Sequence, residues 1–255
     1  MPTLQVPGAT LSHDVVGTGP LLLLVPGGAM DSAPFAGLAA ALADRFTVVR
    51  YDARGIGASP FDGEPSTITV AGQAADALAL IDHHSPGAPA YVLGSSGGAL
   101  TGLELVVRHP DRVAALIAHE PPLASDDDAA QDDELLRIHR EQGPVAATVA
   151  FLQVTGLDGG TPADPEMLPP SLVSNFDVFY RHMITSISAY RADVEALRRL
   201  PVRVGIGETS DQQAERAGRA LARELGREPV LFAGDHVGFA AEPERFAGQL
   251  AAAFA

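Results

Sequence analysis

Cysteine, tryptophan and lysine are all missing from this chain of 255 residues, and its 17 basic residues are arginine throughout. Without cysteine there is no thiol nucleophile, no disulfide framework and no thiolate-held zinc or iron–sulfur centre. The missing lysine removes Schiff-base chemistry, a phosphate-binding P-loop and serine–lysine hydrolase schemes. Positive charge is scarce as well: 32 acidic residues leave a formal charge of −15, which repels phosphate backbones and anionic lipid. Neither nucleic acid nor a membrane is therefore an expected partner, and a small molecule is. The apolar run 21–25 is too short to span a bilayer or act as a signal core, and residues 1–5 carry no basic segment, so a cytoplasmic location is expected.

What is present describes one ordinary globular domain, with 46% apolar and 19% charged residues. Strand-like runs at 21–25, 46–50, 90–93, 113–119, 202–206 and 229–232 alternate with helical stretches at 33–43, 68–83, 98–109, 210–225 and 243–254. That alternation predicts a parallel sheet covered by helices on both faces. Two earlier strands, 3–6 and 11–16, are joined by Pro7-Gly8 and predict an antiparallel hairpin at one sheet edge, for eight strands in all. The rhythm stops once. Residues 121–200 are acidic, proline-broken and helical, and are read as a lid inserted into a core made of residues 1–120 and 201–255.

The strongest chemical signal is Gly94-Ser95-Ser96-Gly97-Gly98, which follows a strand and opens a helix. A serine there sits on a strained turn that exposes its hydroxyl, and small neighbours permit the tight backbone path. Such a hydroxyl needs a base, and His236, in Gly234-Asp235-His236 between the last strand and the last helix, falls at the carboxyl edge of the sheet. Of the other histidines, His83, His84 and His109 end helices, while His13, His139 and His182 lie in an early strand or in the lid, and all are read as solvated or packing residues. A tetrahedral intermediate also needs donors for its oxyanion, for which the Gly97 amide and Gly28 or Ala29 of Pro26-Gly27-Gly28-Ala29 are the candidates.

These segments, together with Tyr51-Asp52-Ala53-Arg54-Gly55-Ile56-Gly57-Ala58-Ser59, resemble the α/β-hydrolase superfamily in order and spacing over nearly the whole chain. The resemblance implies a serine hydrolase with an eight-stranded, mostly parallel sheet, and it makes the Asp52–Arg54 loop a brace with no catalytic step. Asp31 reads as a helix cap. The third triad member departs from the family pattern. After strand 202–206 the family usually has Gly-x-x-Asp, whereas Gly207-Glu208-Thr209-Ser210 ends in serine and Asp211 comes one residue late. Glu120 is the preferred acid, because it ends strand 113–119 and Pro121 should hold it extended. His119-Glu120-Pro121 also resembles the zearalenone-type lactone hydrolases, which carry their acid there. Asp211 stays as the alternative.

The acidic run Asp126, Asp127, Asp128, Asp132, Asp133 and Glu134 lacks the spacing of a calcium loop and reads as a solvated loop leading into a helix. An apolar wall is expected from Phe151, Leu152, Phe176, Phe179, Tyr180 and Met183, with Met167, Leu168 and Leu172 alongside. The expected reaction is hydrolysis of an apolar ester or lactone through an acyl-enzyme, with no metal or cofactor. Carbon–carbon hydrolysis, perhydrolysis, lyase chemistry and a ligand-binding role with a retained triad remain as alternatives.

Overall fold

The computed structural model describes residues 1–123, 126–157 and 163–255, and for residues 126–129 the helical backbone alone. The strands are β1 (Thr3–Val6), β2 (Ala9–Val16), β3 (Leu21–Val25), β4 (Thr47–Tyr51), β5 (Ala90–Ser95), β6 (Val113–His119), β7 (Val202–Gly207) and β8 (Val230–Phe232). They form one eight-stranded sheet in the order β1-β2-β4-β3-β5-β6-β7-β8. The β1–β2 and β2–β4 pairs are antiparallel and the others parallel, so the hairpin lies at the edge, as the Pro7-Gly8 turn requires.

Five helices cover the sheet: α1 (Ala36–Leu42), α2 (Val70–His84), α3 (Gly97–Arg108) and, later in the chain, α9 (Gln212–Glu224) and α11 (Pro243–Phe254), the last preceded by the short α10 (Gly238–Ala241). Strand β3 is buried along its whole length because both its faces are covered. Leu22 and Leu24 join α1 and α11 on one side, while Leu21, Leu23 and Val25 join α2 and α3 on the other. This is the period-two alternation of a strand expressed as two cores. A fully buried leucine is worth roughly 1.5–3 kcal/mol in burial, and Leu23→Ala would cost about 2–5 kcal/mol once the cavity is included. Thr69 starts α2 by accepting from the Gly72 amide at 2.9 Å.

Between β6 and β7 lie α4 (Asp126–Gln142), α5 (Pro144–Val154), α6 (Pro170–Val178), a π-helical turn (Phe179–Met183), α7 (Ile184–Ala189) and α8 (Val194–Leu197). Gly143, with φ 88°, and Pro144 at the first helical turn separate α4 from α5. The acidic run is not a loop leading into a helix: α4 already begins at Asp126, and the side chains of Asp126, Asp127 and Asp128 fall outside the described residues. Phe176, Phe179, Tyr180, Met183, Ile184 and Ile187 belong to the same apolar cluster as Leu100 and Leu103 of α3, so this segment shares the core of the sheet. Among the described residues no helix is long and apolar enough to cross a membrane.

Candidate active site

Parallel strands end at one edge, and the ladder carries Ser96 and Glu120 there side by side. Ser95 is in register with His119 and His119 with Gly205. The pairing runs one step further, with the Ser96 amide donating to the His119 carbonyl at 2.9 Å and the Glu120 amide to the Gly205 carbonyl at 3.0 Å. There the backbone of both residues turns. Ser96 has φ 55° and ψ −125°, and Glu120 has φ 48°; among the described residues these are the two non-glycine positions with positive φ. Each such conformation costs on the order of 1–3 kcal/mol and persists where the surroundings over-determine it. The extended backbone expected for Glu120 ahead of Pro121 is thus corrected to a left-handed one, because its side chain must turn back beneath the β7 end.

The elbow tolerates no bulk. A β-carbon on Gly94 would lie 2.3 Å from the Gly98 carbonyl oxygen, and one on Gly98 would lie 2.3 Å from that of Val25. The loop after β3 closes on the same turn: the Gly28 amide nitrogen is 3.1 Å from where a β-carbon on Gly97 would sit. As the first residue of α3, Gly97 has an amide without an intrahelical acceptor. Ala29 also lines the cavity.

His236 enters from the loop after β8, which Asp235 shapes by accepting from the Val237 amide at 3.0 Å. The Nδ1 atom of His236 lies 2.6 Å from Oε2 of Glu120, whose side chain is fully buried. The other carboxylate oxygen, Oε1, accepts from the Gly207 amide at 2.7 Å and from the Ser210 hydroxyl. Burial alone would raise this carboxyl. The hydrogen bond from His236, the neighbouring imidazoles of His119 and His236 and the Ser210 hydroxyl outweigh it and hold the group at about 2, so Glu120 is a carboxylate.

Asp211 does something else. Its Oδ1 accepts from the amides of Gln213 at 2.6 Å and Ala214 at 3.0 Å, which makes it the amino-terminal cap of α9, although it borders the cavity. Glu208 pairs with Arg245 at 2.5 Å. Asp52 braces the neighbouring loops by accepting from the amides of Ser32 and Ala58, each at 2.8 Å, while Arg54 binds Asp76 through two nitrogens. Asp31 caps the adjoining turn through the Ala33 amide at 3.0 Å.

Ser96, His236, Glu120, Gly28 and Gly97 all line one cavity of about 580 Å³, roofed by the α4–α7 segment. Phe151, Leu152, Leu172, Phe176 and Phe179 line it too. Tyr180 and Met183 do not: Tyr180 stacks on His139 and donates to the Ala147 carbonyl at 3.1 Å, and Met183 is buried in the core. Met167 is 77% exposed. The π-helical turn adds a residue to the helical repeat, so the lining positions step from Phe179 to Ile184 and pass over 180 and 183.

Two residues beside the site stand in quoted segments but were not expected to take part in it. Ser210 stands where the family usually has an aspartate, and it donates to Glu120 instead. His119 is fully buried among Phe232, Phe239 and Phe246, lies nearly parallel to His236 at 6.4 Å, and is pushed down to about 4 by burial. The signal in the sequence was its place at the head of His119-Glu120-Pro121.

An eight-stranded sheet in this order, covered by helices on both faces, with a serine elbow after β5 and a histidine after β8, is the α/β-hydrolase fold. Residues 20–141 match the family described as alpha/beta hydrolase fold. An uncharacterized hydrolase of Bacillus subtilis (strain 168), YraK, is 32% identical over 262 residues, covering 97% of this chain and 93% of its own length. The chain belongs to the α/β hydrolase family. Among solved structures, a thermophilic esterase from Thermogutta terrifontis superposes with a TM-score of 0.81 at 19% identity, covering 99% of this chain and 97% of its own. The enol-lactonase from Burkholderia xenovorans LB400 gives 0.78 at 23% identity, over 99% of each chain. At these identities the likeness speaks for the fold.

Proposed function

We propose that the protein is a serine hydrolase that cleaves an apolar ester or lactone through an acyl-enzyme, with Ser96 as nucleophile, His236 as general base and Glu120 as the acid that orients it. The observation that carries this reading is the 2.6 Å contact between Glu120 and His236 Nδ1, on a carboxylate fixed by two further donors. With Nδ1–H engaged, Nε2 is left with its lone pair for the Ser96 proton. The serine oxygen then attacks the carbonyl carbon, and the oxyanion rests on the amides of Gly97 and Gly28. The alkoxide leaves with the proton from His236, and water repeats the sequence to release the acid.

The cavity supports an apolar substrate. Aromatic and aliphatic side chains dominate its wall, and among the described lining residues Asp31, Glu120, Asp132 and Asp211 are acidic while none is arginine. An anionic substrate would meet repulsion and no ion-pairing partner. In this reading residues 121–200 act as the lid.

The test is labelling by a fluorophosphonate, then a panel of p-nitrophenyl esters and lactones of graded chain length. Stoichiometric labelling of Ser96, together with kcat/KM rising from acetate to medium-chain apolar esters, is expected. Absence of labelling would mark a ligand-binding protein. Labelling without ester or lactone turnover would place the chemistry elsewhere in the family.

A further inference from the structure

Away from the cavity, three imidazoles meet at the edge of the sheet. His13 on β2 is buried at 1% exposure, while His83 and His84 end α2, the first exposed and the second half-buried. Each offers one ring nitrogen, and these atoms all lie within 4.8 Å of one another. The rings converge edge to face, with centroids 4.9 Å apart for His13–His84, 4.7 Å for His83–His84 and 6.2 Å for His13–His83. A tetrahedral ion bound to imidazole nitrogens at about 2.0–2.1 Å sets such centroids roughly 5 Å apart. Two of the separations match that spacing, and the third, His13–His83, is longer at 6.2 Å, with the exposed His83 at its outer end.

The polar bookkeeping points the same way. His13 Nδ1 and His84 Nε2 are buried with no hydrogen-bond partner, an unusual state for a ring nitrogen. The adjacent carboxylates are engaged elsewhere, Asp14 with Arg50 at 2.8 Å and Asp82 with Arg112 at 2.6 Å. A solely structural stack of neutral rings would leave both nitrogens unpaired. A coordinated cation would pair them.

We propose that His13, His83 and His84 bind one divalent transition-metal ion that favours imidazole, Zn²⁺ in the first instance, with water in the fourth position. The ion ties the last turn of α2 to β2. None of the three residues lines the Ser96 cavity, so the site is separate from the proposed chemistry.

The full-length protein, stripped with a chelator and dialysed, is titrated with Zn²⁺ by calorimetry, and with Co²⁺ while the visible spectrum is monitored. One Zn²⁺ per chain with a micromolar or tighter Kd, a four-coordinate Co²⁺ band and no response to Mg²⁺ are expected. His83→Ala removes an exposed side chain and should keep the circular dichroism of the parent while weakening Zn²⁺ binding at least tenfold. His84→Ala should do the same, and His109→Ala, at the end of α3, should leave it unchanged. Failure of the parent to bind Zn²⁺ stoichiometrically would overturn the proposal, and so would undiminished binding by the His83→Ala/His84→Ala double variant.

Discussion

Replacing Glu120 by glutamine keeps the shape of the side chain and removes its charge, and the surrounding hydrogen bonds decide how the histidine responds. Three donors face this carboxylate: the Gly207 amide and Ser210 hydroxyl at Oε1, and Nδ1 of His236 at Oε2. A glutamine offers one acceptor oxygen and one NH₂ donor. Turning its oxygen toward Nδ1 would set the NH₂ against the buried Gly207 amide, donor on donor, which is the costlier arrangement. The oxygen therefore stays on Gly207 and Ser210, and the NH₂ faces Nδ1. His236 must then accept at Nδ1 and carry its proton on Nε2, where it cannot take the proton of Ser96. The imidazolium also loses its counter-charge. Together these should lower kcat about a thousandfold or more, roughly 4 kcal/mol of transition-state stabilisation, with KM for a p-nitrophenyl ester little changed. Asp211→Asn keeps a good helix cap and should stay within about threefold of the parent. A Glu120→Gln enzyme within tenfold of the parent kcat, or an Asp211→Asn enzyme that is crippled, would refute the reasoning.

Further expectations concern the same site. Ser96→Gly should abolish turnover yet raise stability by on the order of 1 kcal/mol in urea unfolding, because φ 55° is strained for serine and free for glycine; lower stability would contradict the strain. Glu120 is held at about 2 against an ordinary 4.5, so its contribution to stability is complete above roughly pH 4.5 and is lost as pH falls through about 2. That contribution is about 3 kcal/mol, and Glu120→Gln should flatten this part of an acid-unfolding profile measured by circular dichroism. Ser210→Ala deletes one donor to the carboxylate and should move the same acid transition upward in pH, with kcat reduced severalfold; an unmoved transition would count against the bond. Phe179 lies 3.5 Å from where a β-carbon on Gly28 would sit, so Phe179→Ala opens the cavity beside the oxyanion loop and should raise KM for short apolar esters more than it lowers kcat.

Backbone strain is concentrated at the carboxyl edge of the sheet. The two left-handed non-glycine residues among those described are the serine at the elbow and the glutamate beside it, and both are held by ladder bonds to the neighbouring strand. That pattern matches a site whose geometry is imposed by the scaffold and stabilised by the cores on either face.

Local rules determined much of this protein. Period-two apolar runs and the helical stretches between them specify eight strands and the helices that cover them, because those periodicities are properties of short segments. Gly94–Gly98 and Gly234–His236 locate the elbow and the histidine loop for the same reason, since a tight turn constrains the residues that make it. What only the tertiary structure decided involves residues far apart in the chain. Asp211 directly before a helix is a local cap signal, but whether position 120 or 211 faces His236 depends on the β6–β7 register, which leaves no local trace. Pro121 spoke for an extended Glu120, and the long-range bonds to Gly207, Ser210 and His236 overrode that preference. The π-helical turn removed Tyr180 and Met183 from a wall that the concentration of apolar residues in this segment had given them. His13 lies far before His83 and His84 in the chain, and tertiary packing alone brings its ring against theirs at the end of α2.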